Sequence, residues 1–151
     1  IKNIFGRLLR DLLHERLRIE RSLCYGVNAG IDTSNDYVQV MMTVKTDEKN
    51  IEIVENEFYS ILNEIKNKKH IDRFNTIKRT YNEQARSQER LSSDIADATL
   101  REISRFDGHI ITLKEQLEAI EKVTYEDIIK FAEWAFDPEY VYTEIILPSK
   151  K

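Results

Sequence analysis

The sequence predicts an α+β domain of two layers, an antiparallel sheet covered on one face by helices. Three observations carry that expectation. An apolar stripe at helical spacing opens the chain, two stretches of strict alternation follow on either side of a turn cluster, and two hydroxyl-to-carboxylate helix starts lie further on. In order, the elements read αββααααβ.

The first helix spans about residues 3–20, because Ile4, Phe5, Leu8, Leu9, Leu12, Leu13 and Leu17 recur every three or four positions. From Leu23 the period changes to two. Tyr25, Val27, Ala29 and Ile31 fall on one face of a strand, with Cys24, Gly26, Asn28 and Gly30 on the other. Asp32-Thr33-Ser34-Asn35-Asp36 is a turn cluster, and beyond it Val38, Val40, Met42 and Val44 alternate with Gln39, Met41, Thr43 and Lys45. The two strands should pair as an antiparallel hairpin.

Thr46 or Asp47 can cap the next helix, whose stripe of Ile51, Val54, Phe58, Ile61, Leu62 and Ile65 should cover the apolar face of the hairpin. Its acidic residues Glu52, Glu55, Glu57 and Glu64 read as a solvated face. Apolar residues thin out between Ile71 and Phe106, where a bend near Ser92-Ser93-Asp94 is expected. Thr112 with Glu115, and Thr124 with Asp127, have the spacing of capping boxes that start two more helices. Asp137-Pro138 stops the second of these. Tyr140 to Leu147 is β-rich with apolar groups on both sides, so it reads as a strand inside the sheet that ends before Pro148.

With 151 residues and 41% hydrophobic content, residues 1–151 read as a single domain. A domain of this size buries roughly 70% of the surface its unfolded chain exposes, which is enough for a continuous core. Lys+Arg 23 against Asp+Glu 27 gives a net charge of -4 with both signs interspersed, and no basic stripe to attract a phosphate backbone. Nucleic acid is therefore not an expected partner. One cysteine, Cys24, cannot form an internal disulfide and points to a reducing, cytoplasmic setting. Lys2, Arg7, Arg10 and Asp11 interrupt every run that resembles a signal sequence, and no stretch approaches the ~20 apolar residues of a membrane span.

None of His14, His70 and His109 lies in an H-x-x-E-H or H-E-x-x-H frame, so no metal ligands are assigned. His14 and Glu15 are adjacent on a helix and point apart. What remains is Leu17-Arg18 followed by Leu23-x-Tyr25, an Arg and a Tyr seven positions apart around one helix-to-strand bend. On local grounds alone Tyr25 reads as a core group on the apolar side of its strand, its hydroxyl tethered at the edge. Arg18, like Arg16 and Arg21, can answer the carbonyls at a helix C-terminus. Cys24 has no His at a nearby offset and reads as a small buried hydrophobe.

The Phe5-Gly6-Arg7-Leu8-Leu9 helix with Leu17-Arg18 through Leu23-x-Tyr25 resembles the L-R-x-x-x-x-L-x-Y segment of the insulinase or pitrilysin-type (inverzincin) zinc metallopeptidases. Val123-Thr124-Tyr125-Glu126-Asp127, Phe131-Ala132, Asp137-Pro138-Glu139 and Pro148 are similar to the V-T-x-x-D... A... P-E... P close of the same domain. The resemblance implies the non-catalytic, C-terminal-type half of such an enzyme, which binds no cofactor itself and completes the cleft of a homologous half that carries the zinc. That partner would be part of the same polypeptide or a separate subunit, and the substrate would be a peptide. Carried over residue by residue, Tyr25 would donate a hydrogen bond to the polarised carbonyl, and Arg18 would hold substrate. Ser22 departs from the family, which commonly has Gly there. The resemblance also implies a leading strand and helix before Ile1, so the chain reads as a fragment of a longer polypeptide. The sequence also permits an inactive homologous half serving as a structural or peptide-binding subunit, while an unrelated interaction module that uses the helices between Ile71 and Phe106 explains the helical content but not the Arg-Tyr bend or the closing motif.

Overall fold

The structure, a computed structural model, describes residues 1–33, 37–88 and 112–147. It is an α+β fold built on helix α1 (Lys2–Leu13), in which Ile4, Phe5, Leu8, Leu9, Leu12 and Leu13 are all buried. The helix does not stop at Leu13. It widens into a π-helical segment, His14–Glu20, whose longer turn keeps Leu17 fully buried. The sequence-based span of about 3–20 holds, with a change of pitch inside it.

Strands β1 (Cys24–Thr33) and β2 (Val38–Thr46) form the expected antiparallel hairpin. Val27↔Val44, Ala29↔Met42 and Ile31↔Val40 pair across it and turn their side chains toward the core, while Asn28, Gly30, Met41 and Thr43 face out. The cover on the hairpin is α1, where the sequence pointed to the next helix. Gly6 brings the two together, since a Cβ at that position would meet Ile31 Cγ1 at 3.4 Å. Helix α2 (Ile51–Lys66) buries Val54, Phe58, Ile61, Leu62 and Ile65 chiefly against α1 and the last helix. A ring cluster joins these layers: Phe5 lies 5.1 Å from Phe131, and Phe58 lies 5.1 Å from Phe136.

Helix α3 (Ile71–Gln88) contributes Phe74 and Ile77 to the core; the bend expected near residues 92–94 lies outside the described residues. Both capping boxes are formed. Glu115 N–H donates to Thr112 Oγ1 at the start of α4 (Leu113–Lys122), and Asp127 N–H donates to Thr124 Oγ1 at the start of α5 (Tyr125–Ala135). The Thr124 amide and hydroxyl both donate to the Asp127 carboxylate, which holds that carboxyl below its ordinary range. Lys78 Nζ donates to the Glu121 and Val123 carbonyls at 3.0 and 2.8 Å, satisfying acceptors at the C-terminal end of α4.

Residues 141–147 are not a strand, contrary to the sequence expectation, and pair with neither β1 nor β2. Tyr142 and Ile146 are each 84% exposed. A strand with apolar groups on both sides needs a neighbouring strand and a covering layer on each face. Among the described residues, a two-stranded hairpin under one helical layer offers no such position.

The acidic side of α2 is also not simply solvated. Glu52 and Glu55 are exposed, but Arg16 reaches Glu57 at 3.1 Å and Glu64 at 2.9 Å, and Arg21 also pairs with Glu57. His70 Nε2 lies 3.1 Å from the same Glu64 carboxylate. Burial alone would raise the Glu64 carboxyl, but the hydrogen bonds from Arg16 and His70 outweigh it and its pKa is lowered. A carboxyl whose pKa is lower folded than unfolded contributes stability that is present above the ordinary Glu value of about 4.3 and is lost as pH falls through the folded value. Glu64→Gln should therefore lower the thermal midpoint at neutral pH. The difference from wild type should shrink on acidification below that range, as read by thermal melts across a pH series.

Candidate functional site

The bend that leads from the π-helical segment into β1 is fixed through one peptide unit. Leu23 N–H donates to the Leu17 carbonyl at 2.7 Å, while the Leu23 carbonyl accepts from Thr46 Oγ1 at 2.5 Å and from Asn50 Nδ2 at 3.2 Å. Thr46 ends β2, and Asn50 closes a 3₁₀ turn, Glu48–Asn50, that leads into α2. This explains a departure from the sequence reading. Neither Thr46 nor Asp47 caps α2 through its side chain, because Thr46 serves the bend and the Asp47 carboxylate has another partner.

That partner is Tyr25. Between the pairs Cys24↔Thr46 and Gly26↔Lys45, β1 advances two residues while β2 advances one, so Tyr25 is the extra residue of a β-bulge. Simple alternation had put Tyr25 on the apolar side. The bulge instead leaves Cys24 and Val27 both packed against the core and turns Tyr25 outward, 65% exposed. Its hydroxyl donates to Asp47 Oδ1 at 3.1 Å. That hydrogen bond, together with the repulsion between a phenolate and the carboxylate, raises the Tyr25 pKa above its ordinary value. Tyr25 therefore stays a protonated donor at neutral pH.

Arg18, Ser22, Cys24, Tyr25, Asp47 and Asn50 line one cleft of about 380 Å³. The two residues singled out in the sequence, Arg18 and Tyr25, thus line the same cleft. Arg16 and Arg21 are tied to the acids of α2, whereas Arg18 is exposed and forms no ion pair or hydrogen bond with a described residue. Cys24 is a half-buried lining residue of the cleft. Burial pushes its thiol up and the Arg18 charge only partly opposes this, so it is not an activated nucleophile. Asp47 and Asn50 were not recognised in the sequence as part of the site. The hairpin register is the signal that could have found them, since it sets the end of β2 opposite the start of β1.

Among the described residues, no three of His, Cys, Asp and Glu converge where a metal ion could be held. Of the described histidines, His70 is engaged by Glu64. His109 lies outside the described residues. No described helix is long and apolar enough to cross a membrane.

Residues 2–81 match the family described as the Peptidase M16 inactive domain. The chain belongs to that family. No curated protein matches it. The matched span of this M16 inactive domain runs from α1 into α3 and contains Arg18, Tyr25, Asp47 and Asn50. Membership accords with the insulinase-type resemblance and identifies the chain as a non-catalytic half of a peptidase-like protein.

Ser22 bears on how that M16 bend is made. Its φ is 49°, in the left-handed region, where a residue with a Cβ is strained and glycine is not. Lys68 adopts φ 61° after α2, where Lys68 N–H and Lys69 N–H return to the Ile65 and Glu64 carbonyls in a Schellman closure. Ser22→Gly should raise stability by up to about 1 kcal/mol, the relief of the left-handed strain exceeding the extra freedom of the unfolded chain. A denaturant midpoint that falls would overturn that account of the bend.

Proposed function

We propose that this M16 inactive domain completes the peptide cleft of a homologous, zinc-bearing half, in the same polypeptide or as a separate subunit, for peptide-bond hydrolysis. The observation that carries the reading is the joint placement, on one open cleft, of a protonated phenol and a guanidinium that has no ion-pair partner among the described residues. On this reading the metal chemistry belongs to the partner half; the absence of an H-x-x-E-H or H-E-x-x-H frame in this sequence supports that assignment.

The roles follow from the groups. Tyr25 presents an O–H donor, and a donor aimed at a carbonyl oxygen strengthens as negative charge builds there, so it acts on the transition state. Arg18 presents a planar fork of N–H donors that suits a backbone carbonyl or a peptide carboxylate. Such a grip is formed in the ground state as well and acts chiefly on binding.

A second reading, an inactive half that binds peptide or serves as a structural subunit, draws on the fact that the Tyr25 hydroxyl is already given to Asp47. Kinetics of the assembled enzyme separate the two. Tyr25→Phe should lower kcat roughly 10²-fold with little change in KM, the low end for removing one oxyanion donor. Arg18→Ala should raise KM and leave kcat nearly unchanged. Both side chains are exposed, so the thermal midpoints should hold. A Tyr25→Phe enzyme with wild-type kcat would favour the structural or peptide-binding subunit.

A further inference from the structure

Tyr25 stands on a bulge, 65% exposed, and among the described residues its phenol has one hydrogen-bond partner, Asp47. A side chain that exposed populates several rotamers unless something holds it, and a donor that wanders between rotamers is rarely where charge develops. Asp47 is itself well anchored. It follows Thr46, whose hydroxyl is bonded to the Leu23 carbonyl, and it precedes the 3₁₀ turn whose Asn50 is bonded to the same oxygen. The carboxylate therefore sits on the hydrogen-bonded side of the cleft and the phenol on an exposed side chain.

Resting on the peptidase reading above, we propose that Asp47 is the positioning residue of this site: it holds the Tyr25 phenol oxygen at the cleft rim in the donor form. The ring need not move for donation to occur. Rotation about the phenol C–O bond carries the hydrogen from Asp47 toward a carbonyl oxygen in the cleft while the oxygen stays in place. Asp47 competes for that hydrogen, so the arrangement helps only if the gain from a fixed oxygen exceeds the loss from competition. Exposure decides in favour of the gain. The bond to Asp47 is solvent-facing and thus weak, whereas a loose, exposed ring loses most of its productive orientations.

The test uses the assembled enzyme with internally quenched peptides, the best-cleaved one carried through all variants, and ring-¹³C-tyrosine NMR of the same protein, with Tyr25 assigned by its loss in Tyr25→Phe. Asp47→Ala should lower kcat about fivefold to tenfold, the scale of one exposed charge-assisted hydrogen bond, with a smaller change in KM. Asp47→Asn keeps an acceptor at the same place and should recover most of that loss. In the Tyr25→Phe background Asp47→Ala should cost nothing further, because the group it positions is gone. The Tyr25 phenol should titrate at lower pH in Asp47→Ala than in wild type.

The proposal is overturned if Asp47→Ala leaves kcat unchanged or raises it, if its effect persists in Tyr25→Phe, or if Tyr25 titrates as before. Failure of the underlying reading looks different. If Tyr25→Phe keeps its kcat, or no peptide is cleaved, the peptidase role of Tyr25 falls, and the tether is then judged by the titration alone.

Discussion

The cleft depends on the peptide unit of Leu23. Its N–H holds the π-helical segment and its carbonyl holds the end of β2 and the turn before α2, so the helix-to-strand bend is tied at one residue to a stretch more than twenty positions further along the chain. Backbone groups at a bend cannot be left unpaired without a cost comparable to a lost hydrogen bond. Here the N–H is answered by the Leu17 carbonyl, and the carbonyl by two side chains, Thr46 and Asn50, of types that commonly cap helices. The cap of α2 is given up and the bend is gained.

The π-helical widening has a related consequence. An α-helix continued from Leu13 would keep a turn of 3.6 residues; the wider turn inserts extra residues while Leu12, Leu13 and Leu17 remain in the core. The residues beside Leu17 are thereby sent in different directions. Arg16 turns to Glu57 and Glu64 on α2, and Arg18 turns to the cleft. One anchors the segment against the helix behind it, and the other forms no ion pair or hydrogen bond with a described residue.

How much of this was legible in the sequence depends on how local each cause is. The α1 stripe, the hairpin alternation and the Thr112 and Thr124 capping boxes are set by residues within a few positions of one another, and each stands in the structure where the spacing placed it. The bulge at Tyr25 is not of that kind. It arises because Cys24 and Val27 both pack against a core formed by distant helices, and alternation cannot accommodate two inward residues three apart without displacing what lies between. The Asp47 tether is likewise a product of cross-strand register. The misplacement of residues 140–147 has the opposite origin: their composition suits a buried strand, but strand pairing is decided by a neighbour and not by the strand itself.

Arg18 and Tyr25 were therefore identified for a reason that local physics did not supply. Periodicity alone made Tyr25 a core residue and Arg18 one of several cations at a helix end, and only the family pattern set them apart. The structure gives that pattern a physical basis. A tyrosine at the extra position of a bulge is released from the core, and an arginine at the widened turn is released from the ion-pair network, so the two groups that escape the demands of folding face the same cleft. Asp47 belongs with them, since its carboxylate caps no helix and, among the described residues, bonds the group that the bulge set free.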